Sequence, residues 1–532
     1  MAAGSYMKAI ARIFTAVGLC SGMLLGTGCT DDPRNPTHKE VSLQSIARGK
    51  VLAQQYCASC HALPDPAQLD SRSWEKGVLP NMGPRLGIFY YGEDRYPSAK
   101  NDPNVGPDYY PRQPVLSFTE WQHIIDYFTA TSPDSLLPAA IPGTVKTGLP
   151  HFVVEKAASS GAPPSVVYLG VDTAAGRRNI LLAEYSTWKL HRFRGTERLD
   201  SVQAPGPVLQ VIPEGEGLLA LNVGEMNPTN GRWGKVQRLS LGTGKPHYDT
   251  AALLAGLARP VELLSADLDG DGRQDYVVGE FGFITGALTW HRNLGDGRFE
   301  RRVLRGQPGA VKAYLRDPEG DGQPDLWVLF AQGDEGIYRF RNRGEGRFEE
   351  ERVLRFPAVW GSTYFELTDL NGDGREDVVY TAGDNADYSP VLKPYHGIYL
   401  YLNEGGDRFR QAFFYPLNGC FKALARDFDR DGDPDLAAIA YFADFRKPSD
   451  EGFVYLQNLG NFKFQPYRIP ESKTGRWLTM DAGDADGDGW TDIVIGNFSG
   501  GPQLMPPTAD WKKGPLFLLL RNKAGAHQNP KP

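Results

Sequence analysis

The chain has 532 residues, with 64 Asp and Glu against 57 Lys and Arg, a net charge of −7 and 41% hydrophobic residues. That length exceeds one ordinary core, so two or more domains are expected. The globular composition argues against a disordered chain, and the acidic balance without a long Lys/Arg run excludes nucleic acid as the expected partner. Gly (61) and Pro (40) are abundant, which suits many short strands and turns. The five cysteines, Cys20, Cys29, Cys57, Cys60 and Cys420, leave no obvious pair for a structural disulfide.

The first thirty residues read as an address. Lys8 and Arg12 precede an apolar run from Ile13 to Leu25, too short for a permanent bilayer span, and small residues follow up to Cys29. This resembles the lipobox of bacterial lipoproteins, although Gly26 stands where that family carries leucine and Leu25 lies one step earlier. The resemblance implies a signal peptide over 1–28, acylation of Cys29 and a polar tether over 29–41. It implies an exported protein of the bacterial cell envelope, periplasm or outer membrane, held to the membrane by its lipid anchor only. A plain signal with soluble release is the alternative.

Next comes a helix-compatible stretch, Leu43–Gln55, with Gly49 eight residues before Cys57-Ala58-Ser59-Cys60-His61. Two thiols three positions apart on one turn can form thioethers to the two vinyl groups of a single haem, with the histidine facing the iron. A zinc site would want a second ligand pair nearby, and none follows. Between His61 and residue 135 the only methionine is Met82, in Val78–Gly83, which reads as a short loop; His123 or an open position is the alternative sixth ligand. Ser117–Ala130 reads as a second helix with Trp121, Ile124, Ile125, Tyr127 and Phe128 on its apolar face. The region 42–135 resembles class I cytochromes c. That resemblance implies a small all-α domain, covalent haem c on Cys57 and Cys60, iron ligation by His61 and Met82, and a glycine at the helix crossing. Residues 88–114 form a long loop rich in Tyr, Pro, Asp and Gly, and 136–150 a linker.

Beyond residue 150 the chain repeats itself. The pattern D-x-[DNE]-x-D-G-x-x-D occurs five times, at intervals of 50 to 58 residues. Its acidic or amide positions are Asp267, Asp269, Asp271 and Asp275; Asp317, Glu319, Asp321 and Asp325; Asp369, Asn371, Asp373 and Asp377; Asp427, Asp429, Asp431 and Asp435; Asp484, Asp486, Asp488 and Asp492. Side-chain oxygens at positions 1, 3, 5 and 9 of a tight loop can converge on a hard cation, and the glycine at position 6 permits the turn. The bland alternative is a set of acidic turns without metal, at the cost of unrelieved repulsion. An EF-hand would want Glu at position 12, where the first loop has Val278. The loops instead resemble FG-GAP or VCBS repeats of integrin-like β-propellers over 151–522, which implies bound Ca2+.

Two degenerate repeats upstream, at Glu214–Gly217 and Asp172–Gly176, bring the blade count to seven, and Pro515–Leu520 offers a closing strand. Cys420 reads as a buried small hydrophobe, and 523–532 as a tail. The fold expected is therefore multidomain, an all-α cytochrome c domain followed by an all-β propeller. The leading function is haem c electron transfer to a redox partner protein in the envelope, with the propeller docking a partner or substrate. A periplasmic dehydrogenase with a catalytic propeller is one alternative, and an adhesin with a glycan or protein ligand is another; no nucleophile–base arrangement stands out.

Overall fold

The computed structural model describes residues 32–159, 161–173, 176–215, 217–240, 246–386, 388–445, 450–501 and 509–527. The chain separates into Met1–Pro33 and Arg34–Pro532. The apolar segment 13–25, Cys20 and Cys29 lie outside the described residues. Among the described residues, no helix is long and apolar enough to cross a membrane.

Two helices frame the N-terminal part of the larger unit. Leu43–Tyr56 begins at Ser42, whose hydroxyl accepts the Ser45 N–H at 3.1 Å. Phe118–Thr131 begins at Ser117, and the reciprocal bonds between Ser117 and Glu120 satisfy donors that the first turn leaves open. The helices cross at Gly49, where an added Cβ would lie 1.8 Å from the His123 carbonyl oxygen, so only glycine lets the backbones approach this closely. Ile46, Leu52, Trp74, Trp121, Ile124 and Phe128 are buried between them.

The Met82 segment departs from expectation. It is helical rather than a loop: a π-helix over Ser73–Val78 runs into an α-turn over Leu79–Met82 and a 3-10 turn over Gly83–Leu86. Pro80 and Pro84 occupy first-turn positions, where a missing N–H costs little, and Gly87 at φ 80° ends the run. Residues 88–114 contain a small hairpin, Tyr90–Tyr91 with Asp94–Arg95, and bury Ile88, Tyr96 and Tyr110.

Seven sheets of four or five strands make the rest, as the repeat spacing predicts; all their pairings are antiparallel except that of Lys146–Thr147, which joins the edge of the sixth in parallel. Their first strands, Val166–Asp172, Val208–Glu214, Pro260–Ala266, Ala310–Arg316, Ser362–Thr368, Cys420–Arg426 and Trp477–Gly483, touch in a closed ring and start blades 1 to 7. Second strands such as Asp275–Glu280, Asp325–Phe330 and Asp492–Asn497 are buried along their whole length, which is why they read as unbroken apolar runs. Cys420 is fully buried. Pro515–Leu520 falls on the third strand of blade 7, Phe517–Asn522, which closes the ring by pairing with a strand from the start of the propeller. The outermost strand of that blade is Phe152–Ala157, which precedes blade 1 and pairs antiparallel with Phe517–Asn522.

The helical part rests on blade 5. Val359, Trp360, Val391 and Tyr395 pack against the core that holds Trp74 and Trp121, and the Tyr395 hydroxyl donates to the Gln68 carbonyl at 2.8 Å. Trp360 stacks on Tyr395, Tyr399 and Phe356, and Phe356 stacks on Tyr380 at 3.8 Å. Beneath this stack, the Tyr380 hydroxyl lies 2.7 Å from that of Ser362, which donates to Glu335 at 2.6 Å. Burial pushes the Glu335 carboxyl up to about 8, against the pull of the Ser362 donors. The folded chain thus holds this proton more tightly than the unfolded one. Its stabilising contribution is complete below the usual carboxylate range and is lost as pH rises to about 8. Glu335→Gln should flatten that decline by a few kcal/mol, read as melting temperatures between about pH 5 and pH 8; parallel curves for the two proteins would remove Glu335 as its source.

Candidate functional site

Cys57 caps the helix Leu43–Tyr56, and a 3-10 turn, Cys57–Ser59, carries the chain to Cys60 and His61. Both thiols are free; Cys60 is exposed, and burial, followed by the neighbouring Cys60, pushes the Cys57 thiol up to about 12. Cys57 and Met82 pack partly buried against the same core. The His61 ring donates from Nδ1 to the Ala62 carbonyl at 2.9 Å, while its Nε2 has no hydrogen-bond partner among the described residues. A ring nitrogen fixed by a carbonyl, with the other left open, is how metal-binding histidines are commonly held. Two free thiols and that imidazole follow one another in sequence, and the Met82 thioether borders the same core as Cys57; as donor types these fit haem c. His123 is held in a similar way, its Nδ1 2.6 Å from the Ser45 hydroxyl, and it stands as the alternative ligand.

The acidic loops of blades 3 to 7 join the first and second strands. Position 1 organises each loop through the backbone: Asp267 accepts the N–H groups of Gly270, Asp271 and Gly272 at 2.8 to 3.1 Å, and Asp369 does the same for Gly372, Asp373 and Gly374. In three loops the carboxylates at positions 1, 3 and 5 converge, with ligand atoms within 4.8 Å of one another: Asp267, Asp269 and Asp271; Asp427, Asp429 and Asp431; Asp484, Asp486 and Asp488. Such all-oxygen clusters fit calcium. In the third repeat Asn371 takes position 3, and its amide donates to Asp373 at 3.0 Å.

Position 9 does different work from positions 1, 3 and 5. Asp275, Asp325, Asp377, Asp435 and Asp492 are buried at the start of the second strands, and one oxygen of each accepts the N–H of an asparagine at the end of the third strand. Those asparagines are Asn293, Asn342, Asn403, Asn458 and Asn522. The second oxygen of Asp275, Asp377 and Asp492 accepts a loop N–H, from Leu268, Leu370 and Ala485. These carboxylates therefore tie each loop to its blade. Asn522 lacks the Gly-turn-Phe sequence that marks the other four, although it sits at the same place after its Asp.

The second repeat contains its own cation. Arg339, buried in the strand Gly336–Asn342, donates to Asp325 and Glu319 at 2.7 Å and reaches Asp407 of blade 5. Asp317 and Asp321 remain at the mouth, where the Asp321 N–H donates to Asp317 at 3.1 Å. Arg339→Leu should destabilise the chain by about 3–5 kcal/mol in urea denaturation, because buried Asp325 loses its partner. A loss below about 1 kcal/mol would mean that the pair behaves as a surface contact.

The first strands carry charges that pair between neighbouring blades: Glu262 with Lys312 at 2.8 Å and Glu366 with Arg426 at 2.7 Å. These groups brace the ring.

The fold and loops define a seven-bladed β-propeller with clustered carboxylates between first and second strands. The model of the FG-GAP-like repeat matches residues 267–328, 317–380 and 427–495. Integrin alpha-PS3 of Drosophila melanogaster is 28% identical over 183 residues, covering 31% of this chain and 16% of the integrin. Among solved structures, virginiamycin B lyase from Staphylococcus aureus is similar at 11% identity and TM-score 0.43, covering 70% of this chain and 99% of that one. The N-terminal domain of Nup159 gives 11% and 0.39, with 72% and 98% covered. Scores below 0.5 carry no functional weight. The chain carries FG-GAP-like repeats, and an integrin-like propeller of this kind suggests a binding or docking module.

Proposed function

We propose that the chain is an exported haem c electron-transfer protein whose calcium-loaded propeller docks a partner. The observation that carries this reading is the sequence Cys57-Ala58-Ser59-Cys60-His61 at a helix end, with the His61 ring held by a carbonyl. Haem, once attached, supplies a one-electron ferrous/ferric couple. Cys57 and Cys60 would anchor it, His61 would ligate from one side and Met82 from the other. The apolar core around Trp74 and Trp121 would exclude water, and the exposed Cys60 edge would leave a route for electrons. Export follows from the signal-like segment, and acylation of Cys29 would hold the protein at the envelope membrane, beside a redox partner protein.

Expression with the machinery for covalent haem attachment tests this. One haem per chain, surviving denaturation and reducible by an added electron donor, is the expected result. A folded, exported chain whose Cys57–His61 peptide carries no added mass would overturn it. The integrin-like repeats favour a second reading, a glycan- or protein-binding module in which redox chemistry is accessory. Undiminished partner capture by a haem-free variant would select that reading.

A further inference from the structure

Blade 1 departs from the acidic pattern in one direction. Where blades 3 to 7 place carboxylates between first and second strands, its connection carries Arg177 and Arg178, directly before the strand Asn179–Glu184. These two line a cavity of about 820 Å³ together with Arg192 and Arg194 of the same blade and Arg521 of blade 7. Among the described residues, Asp486 is the one carboxylate that lines it.

Three of the five guanidiniums are already paired: Arg177 with Asp172 at 2.8 Å, Arg192 with Asp200, and Arg521 with Glu155 at 2.7 Å and Asp486 at 2.5 Å. The other two have no carboxylate partner among the described residues. Arg178 donates to the backbone oxygen of Asp486 at 3.1 Å, and Arg194 is exposed with no ion pair. The position of Arg178 depends on Gly487: at φ 81° this glycine leaves space that a Cβ would fill, 1.8 Å from the guanidinium carbon. Asp486 also belongs to the cluster of blade 7, so a cation held there would draw on the same charge that now faces Arg521.

We propose that this cavity binds a multivalent oxyanion, a ligand that carries two or more sulfate, phosphate or carboxylate groups on a body of small-molecule size. Guanidinium forks match such groups with paired, charge-assisted hydrogen bonds, and the unpaired Arg178 and Arg194 supply the first contacts. The volume lies in the range of small-ligand pockets and exceeds what one inorganic anion fills. The proposal is independent of haem.

Titration calorimetry of the full chain in physiological salt tests it, with sucrose octasulfate and trigalacturonate as probes and acetate as the monovalent control. One saturable site for either polyanion is expected, and the stronger probe identifies the preferred oxyanion. Arg178→Ala combined with Arg194→Ala should weaken it at least about tenfold, the loss of one charged hydrogen bond or more. Both side chains are exposed, so the melting temperature should hold; Arg194→Glu repeats the test by charge reversal. No binding of either probe, binding unchanged in both variants, or binding abolished by physiological salt would each overturn the proposal.

Discussion

A chelator should lower the melting temperature of this chain by on the order of 10 °C, and millimolar calcium should restore it. The cause is the packing of three carboxylates within 4.8 Å in each of three loops. Without a cation the charges repel one another, offset only in part by Arg273 and Arg292 in the first loop and by Arg521 and Lys523 in the last, while the turn that brings them together is fixed by backbone N–H bonds to Asp267, Asp427 and Asp484. A ligand that binds only the folded state adds about 2.7 kcal/mol per site at a hundredfold excess over its dissociation constant. Three such sites make a large shift even for a long chain, in which each kcal/mol moves the midpoint by a few degrees. Asp427→Asn with Asp431→Asn should remove one share of the calcium effect and raise the stability of the calcium-free protein, since it relieves repulsion there. The second repeat should contribute least, because its carboxylates do not converge and Arg339 takes both Glu319 and Asp325. Scanning calorimetry decides: a melting temperature indifferent to chelation would leave acidic turns without metal.

On the proposed haem c reading, replacing both Cys57 and Cys60 by Ser should abolish covalent haem completely and leave the propeller folded. Each single replacement would leave one thioether to tether the group to the chain. Met82→Ala is a subtler test. It should leave haem attached, remove the sulphur–iron charge-transfer band of the oxidised form and lower the reduction potential, because a thioether ligand favours the ferrous state. Persistence of that band in Met82→Ala would reject Met82 as ligand. The packing predicts that these variants fold, since Cys57 and Met82 only border the core, whereas Trp74, Trp121 and Phe128 fill it.

The blades were legible because their signal is local and periodic. Each acidic loop feeds an apolar second strand within a few residues, and an asparagine at the end of the third strand returns in each of these blades, 17 to 30 residues after the ninth-position Asp. Even the degenerate repeats at Asp172 and Glu214 fall at hairpins between first and second strands. Contacts made across the chain were illegible. Arg339 reaches Asp325 and Glu319 from a different strand, and nothing in its own neighbourhood marks it. The ninth-position carboxylates share the composition of metal ligands, and only the register of the third strand commits them to asparagine N–H groups. Around Met82, Pro and Gly read as breakers, yet proline in a first turn is compatible with helix. In the first blade only a degenerate repeat at Asp172–Gly176 was legible; the arginines at 177 and 178 meet Arg521 from more than three hundred residues away in sequence.

The strand Phe152–Ala157 emerges from the ribosome before any complete blade but finds its partner, Phe517–Asn522, only after blades 1 to 6 have been made. Until then the ring is an open arc with an unsatisfied edge at each end, and such edges recruit other chains. A nascent polypeptide of this design therefore keeps its leading edge exposed until the last blade is made. The helical part at residues 43–131, assembled from neighbours in sequence, can be finished long before the circle is joined.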